Sequence, residues 1–162
     1  MKPGDHPDFF RLAPPPGTSR ESAIHLDRDG QFWNEGDKVT HPALHAALTR
    51  WITRHPDDGR FILSNGYDWT YFSVADAPYL VNSLSVGPEG VVLTLSDETT
   101  EPLEPSRLRV GDADALYIAV KGGQFEARFT RHAQNQLAQV LVEDAQGSLA
   151  LEIAGVRWPL PY

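Results

Sequence analysis

Gly30-Gln31-Phe32 precedes Thr40, and Gly123-Gln124-Phe125 precedes Thr130; the reading of these two stretches decides the fold. Each is a strand-like run leading to a threonine suited to cap a helix. Ala43, Leu44, Ala47, Leu48, Trp51 and Ile52 follow the first threonine on one helical face, and Ala133, Leu137, Val140 and Leu141 follow the second. Pro42 sits in a first turn, where a missing N–H costs nothing. The first helix is expected to end near Arg54, because Pro56 and Asp57-Asp58-Gly59 break it. A glycine turn then leads into another strand in both places, through Gly59-Arg60-Phe61-Ile62-Leu63 and Gly147-Ser148-Leu149-Ala150-Leu151. The order strand–turn–strand–helix–strand therefore occurs twice, and an internal repeat is expected. Antiparallel hairpins with one helix per unit predict an α+β protein of mostly antiparallel sheet.

Outward from this frame, Ala23 to Leu26 and Gln31 to Trp33 form a hairpin about Asp29-Gly30. Arg60 to Ser64 and Tyr67 to Ser73 flank Asn65-Gly66, a type I′ signal. Leu80 to Val86 and Val91 to Leu95 are strands joined at Pro88-Glu89-Gly90. Leu116 to Val120 and Gln124 to Phe129 are joined at Lys121-Gly122-Gly123. The expected organisation is a proline-rich arm over 1–22, a first α+β unit over 23–96, an acidic linker loop over 97–114, and a second, related unit over 115–162. Prolines bar the arm from a central strand position, so residues 1–18 are expected to be dispensable for folding. Phe9, Phe10 and Leu12 are its only apolar group. The tail Val156-Arg157-Trp158-Pro159-Leu160 is apolar enough to pack.

The 162 residues include 41% apolar ones, enough for a sizeable core. Mean hydropathy is −0.36. No apolar run approaches the roughly 20 residues of a spanning helix, and Met1 to His6 opens no secretory signal. The expectation is a cytoplasmic protein without membrane association. There is no cysteine, which rules out disulfides and thiolate sites. A net charge of −8 without basic clusters argues against nucleic acid as a partner.

His41 and His45 stand one helical turn apart, which is metal-ligand spacing. The glutamate after the first histidine that a zincin needs is missing, and a third ligand would have to come from His25, His55, His132 or a carboxylate. No metal, cofactor or catalytic residue is assigned. Asp27-Arg28-Asp29-Gly30 lacks the remaining ligands of a calcium loop and reads as a turn. There is no Gly-x-Ser-x-Gly elbow. Asp97, Glu98, Glu101 and Glu104 read as a solvated acidic loop. Trp33, Trp69 and Tyr71 lie on short strands whose second face can stay open, which suggests an aromatic cleft. The candidate ligand-binding residues are Trp33, His41, His45, Trp69, Tyr71 and Tyr79. Gln134, Asn135, Gln136 and Gln139 give the second helix an amide-rich face suited to a protein contact.

Asp29-Gly30-Gln31-Phe32-Trp33, Val39-Thr40-His41-Pro42-Ala43-Leu44, Val74-Ala75-Asp76-Ala77-Pro78-Tyr79 and Leu116 to Arg131 resemble, in order and spacing, the bacterial domain-of-unknown-function 1285 family. The resemblance covers roughly residues 22 to 160. The family pattern usually carries a basic residue just before the first helix, where this chain has His41, and His45 is not a family feature. The resemblance implies a distinctive α+β fold with repeated motifs and a role in signal transduction or ligand sensing; it carries over no catalytic residue. The expected function is a non-catalytic module binding a small molecule or protein in regulation. The alternative is a metal-dependent or other hydrolase using His41 and His45.

Overall fold

Asp27 organises the first hairpin. Its Oδ1 accepts the N–H groups of Asp29 and Gln31, each at 2.9 Å, and its Oδ2 accepts the indole N–H of Trp33 at 2.8 Å. This turn joins β1 (Ile24–Leu26) to β2 (Phe32–Asn34), with His25 opposite Trp33. Glu35 and Gly36, both at positive φ, turn the chain into β3 (Asp37–Lys38). The structure, a computed structural model, describes residues 1–160, so the last two residues of the expected second unit lie outside it. The chain divides into two compact units, Met1–Asp76 and Ala77–Tyr162.

In the first unit, α1 (Pro42–Trp51) begins one residue later than the Thr40 cap expects. His41 is the N-cap, and its ring Nδ1 accepts the Leu44 N–H at 3.4 Å. The helix also ends earlier. Ile52-Thr53-Arg54, expected as the last helical turn, is β4 (Ile52–Arg54), paired with β5 (Phe61–Ser64) through Ile52 opposite Leu63. Two consecutive β-branched residues suit the ladder better than a fraying turn before Pro56. β6 (Trp69–Tyr71) completes a β4-β5-β6 sheet. Asn65 to Asp68 form the β5–β6 connection, with Asn65 Oδ1 accepting the N–H groups of Tyr67 and Asp68 at 2.8 Å, in place of a two-residue turn. β7 (Ser73–Val74) runs parallel to β1, giving a second sheet ordered β3-β2-β1-β7.

Helix α1 packs on β5 and buries Leu48. The opposite face of this sheet carries Ile62, Trp69 and Tyr71, and the N-terminal arm covers it. Phe9 is buried against Ile62 and Trp69, with Phe10 and Tyr71 packed around them. The arm is further tied by Gly4 N–H to the Gly66 carbonyl at 2.8 Å and by Arg11 to Asp57. A Cβ on Gly4 would stand 3.0 Å from the Gly66 backbone, so a side chain there would force the two backbones slightly apart. The arm is therefore a covering layer on this sheet, which weighs against the expectation that residues 1–18 are dispensable. Prolines exclude it from a ladder but not from lying across a sheet.

In the second unit, a six-stranded sheet has the order β10-β9-β8-β13-β12-β11. Its strands are β8 (Tyr79–Gly87), β9 (Gly90–Leu95), β10 (Thr100–Pro102), β11 (Leu108–Val110), β12 (Leu116–Val120) and β13 (Phe125–Phe129). All pairs are antiparallel except β8 with β13. The segment 97–114, expected to be a linker, thus supplies both edge strands, and the unit boundary falls at Asp76. Proline and charge are tolerated on edges, where one side needs no ladder bonds. Thr130 caps α2 (Arg131–Leu137) as expected, its hydroxyl accepting the Ala133 N–H at 3.1 Å. A short 3-10 turn over Ala138–Val140 leads to β14 (Leu141–Glu143), β15 (Leu149–Ile153) and β16 (Val156–Pro159), a β14-β15-β16 sheet. The tail expected to pack is the exposed edge strand β16. The fold is α+β with two helices and mostly antiparallel sheets.

Helix α2 lies over β8 and β13. The register of β8 and β9 shifts between Val81 and Ser83, and α2 satisfies the groups this leaves over. Thr130 donates its hydroxyl proton toward the Val81 and Asn82 carbonyls, and Gln136 Oε1 accepts the Leu84 N–H at 2.8 Å. One amide of the helix's polar face is thereby committed to the unit's own sheet.

Candidate functional site

The six residues singled out in the sequence do not form one site. Trp33 is half-buried, with its indole N–H held by Asp27. His45 lies against the same turn, its Nε2 2.8 Å from the Gly30 carbonyl and its ring edge-on to Phe32 at 5.5 Å. His41 is exposed and caps α1. The two histidines so placed are bound into the fold through one nitrogen each. Among the described residues no group of three or more His, Asp or Glu side chains is arranged to hold a metal ion.

Trp69 and Tyr71 stand elsewhere, on the arm-covered sheet, around His55, which the sequence offered only as a possible third metal ligand. His55 is 7% exposed. Its Nδ1 accepts the Asp57 N–H at 3.1 Å, which leaves Nε2 to donate to the Phe10 carbonyl at 3.0 Å. Its ring stacks on Tyr71 at 5.7 Å and meets Trp69 edge-on at 5.0 Å. The Tyr71 hydroxyl donates to Asp58 Oδ2 at 2.7 Å, and the Arg60 guanidinium lies 3.7 Å from the Tyr71 ring centre. The Tyr71 hydrogen bond holds the Asp58 carboxyl below the usual aspartate range, helped by the Arg60 N–H. Trp69 and Tyr71, expected to line an open cleft, are packed on each other and on His55 instead. Among the described residues the indole N–H of Trp69 is buried without an acceptor, as is Nε of Arg20, whose guanidinium lies 4.5 Å from the Trp69 ring centre. Beside it a small cavity of about 180 Å³ lies between Leu48, Trp51, Leu63 and Trp69.

Tyr79 belongs to the second unit. It is buried, with the Lys121 ammonium 4.9 Å from its ring centre and Phe125 edge-on. Burial, with a smaller contribution from Asp97, drives its hydroxyl well above the usual tyrosine value. Two carboxylates of the expected solvated loop turn out to be structural. Asp97 pairs with Lys121 Nζ at 2.7 Å, and Glu101 accepts the Lys121 backbone N–H at 3.1 Å. Burial opposes ionisation of Asp97, but the Lys121 ammonium and the Thr99 hydroxyl outweigh it and hold the carboxyl low.

A larger opening lies in this second unit, a cleft of about 430 Å³ walled by Val110, Leu116, Leu137 and Leu141, with Asp114 and Gln134 as its polar groups. It forms where the β11–β12 hairpin meets the end of α2. Within the hairpin, Gly111 lets the Tyr117 ring pack against the start of the connection, since a Cβ there would stand 2.8 Å from that ring. The connection is a 3-10 turn over Asp112–Asp114, closed by Gly111 N–H to the Ala115 carbonyl at 2.7 Å. Ala113 and Asp114 both take positive φ, at 55° and 61°, a conformation that costs roughly 1 kcal/mol or more for a non-glycine residue. Neither the Asp114 carboxylate nor the Gln134 amide bonds to another described side chain or backbone group. Sequence reading missed this cleft because its walls come from four separate elements. The available signal was Gln134, one of the amides read in the sequence as a protein-contact face, one turn before the buried Leu137.

No protein-family model matches the chain, and no curated protein matches it. Among solved structures, a DUF1285 family protein from Silicibacter pomeroyi DSS-3 is similar at a TM-score of 0.68 and 19% identity, covering 94% of this chain and 92% of that one. A DUF1285 family protein from Shewanella baltica OS155 is similar at a TM-score of 0.57 and 17% identity, covering 75% of this chain and 94% of that one. The chain resembles the DUF1285 family and has the α+β fold of these proteins.

Proposed function

We propose that the protein is a non-catalytic ligand-binding module with a regulatory role, and that the second unit's cleft is its binding site. The observation that carries this reading is the cleft itself: a pocket of about 430 Å³ with aliphatic walls and two polar side chains that bond to nothing else described. Concave, mostly apolar sites with a few polar groups are the usual form of small-molecule pockets. The six candidates from the sequence lend the reading less support, because Trp33, His41, His45 and Tyr71 spend their polar atoms on the fold. The hydrolase alternative loses support for the same reason. A cytoplasmic, signalling role stays part of the proposal; among the described residues no helix is long and apolar enough to cross a membrane. Ligand-observed NMR with hexan-1-ol as a neutral apolar probe tests the site. Ala138 lines the cleft and is exposed. Ala138→Trp should fill the cleft and weaken binding about tenfold or more, and equal binding by both proteins would refute the assignment.

We also propose that the two units repeat a common run. Its support is the order hairpin, capped helix and three-stranded meander, with Gly59 and Gly147 at positive φ in matching turns. The proposal is limited to that run, because β7 pairs with the first strand of its hairpin and β8 with the second. Superposition of 24–71 on 116–159 tests it; helices on opposite faces of their meanders would end it.

A further inference from the structure

We infer that the cleft of the second unit selects a molecule with an apolar body and a positively charged head, of alkylammonium type, over its anionic counterpart. The inference rests on the proposed reading of this cleft as a ligand site and adds the sign of the ligand. Val110, Leu116, Leu137 and Leu141 offer only apolar contact, so the head group is selected by Asp114 and Gln134. Gln134 can donate or accept and is indifferent to sign. Asp114 is an acceptor when ionised, and its carboxylate has no ion-pair partner among the described residues. It is also held in place. The 3-10 turn fixes its backbone, and Gly111 is pressed against Tyr117 one turn-length earlier. No described residue lining the cleft is basic, so nothing there would compensate a carboxylate or phosphate. The chain as a whole carries −8, which repels anions further. A cation whose apolar tail lies along the leucines would supply Asp114 with the partner it lacks.

The test compares hexylammonium, hexanoate and hexan-1-ol, which share a chain and differ in head group, by NMR titration of the full chain at low salt. Hexylammonium should bind about tenfold tighter than hexanoate, with hexan-1-ol between them, since one exposed charge pair is worth a modest factor in each direction. Added salt should narrow the ratio. Asp114→Asn should bring it close to unity, and a dispersed methyl spectrum like that of the wild type shows that the variant is folded. Hexanoate binding as tightly as hexylammonium, or an unchanged ratio in Asp114→Asn, overturns the inference while the cleft stands as a site. Binding of none of the three removes the cleft as a site, and the inference with it.

Discussion

Asp27 shows how much one side chain carries. It closes the β1–β2 turn and fixes the Trp33 ring, and Asp144 builds the same kind of turn before β15 by accepting the Gln146 and Ser148 N–H groups at 2.9 Å. Asp27→Ala removes three bonds to an ionised acceptor and should cost about 3 kcal/mol in chemical denaturation. Its protonation has a sign. Burial pushes the Asp27 carboxyl up, but the Trp33 indole and the Gln31 and Asp29 N–H groups outweigh it, and the net direction is down. A carboxyl held lower in the folded than in the unfolded chain stabilises the fold above the ordinary aspartate value of about 3.9. That stability is lost as pH falls through the folded value. Asp97 acts in the same direction. Thermal midpoints should therefore drop between about pH 5 and about pH 3, and the drop should be shallower in Asp27→Asn. An identical slope in wild type and variant would mean the turn is not coupled to folding.

At the level of elements, α1 illustrates a cap chosen against propensity. His41 accepts the Leu44 N–H at a long 3.4 Å, where a carboxylate would bond better and favour the positive helix end. His41→Asp should raise stability by about 0.5–1 kcal/mol, measured by the denaturation midpoint. The arm is the larger case. Phe9 is 4% exposed, and His55 donates to the Phe10 carbonyl. Deleting residues 1–18 strips the cover from Ile62 and Trp69 and should cost about 3–5 kcal/mol, the range for removing a buried phenylalanine. Trp69 emission should shift to the red. A truncated chain with unchanged stability would contradict the layered arrangement. Hairpins such as β12–β13 and the Thr130 cap were legible because turn chemistry and periodicity are local signals. β10 and β11 were not, since Glu101-Pro102 and Arg109 become strand residues only when β9 and β12 offer an edge. Glu35-Gly36 and Ala154-Gly155 also hid their turns, because the first residue of each adopts positive φ without being Asn, Asp or Gly.

Taken as a whole molecule, the chain places its aromatic weight in the first unit and its open apolar cleft in the second. Trp33, Trp69 and Tyr71 attracted a functional reading because aromatic side chains on short strands look unfinished in a sequence. Asp27 holds Trp33, and the arm and His55 finish Trp69 and Tyr71, the arm through contacts about 50 to 60 residues away in the chain that no local pattern reports. Leu116, Leu137 and Leu141 read as core, and only their assembly around Asp114 and Gln134 makes them a wall. Leucine-methyl NMR spectra of the full chain, recorded as hexan-1-ol is added, test this division most directly. The account predicts saturable shifts at Leu116, Leu137 and Leu141, with the Trp69 indole and the Ile62 methyls unmoved. Shifts centred on Ile62 and Trp69, with the three leucines silent, would contradict it.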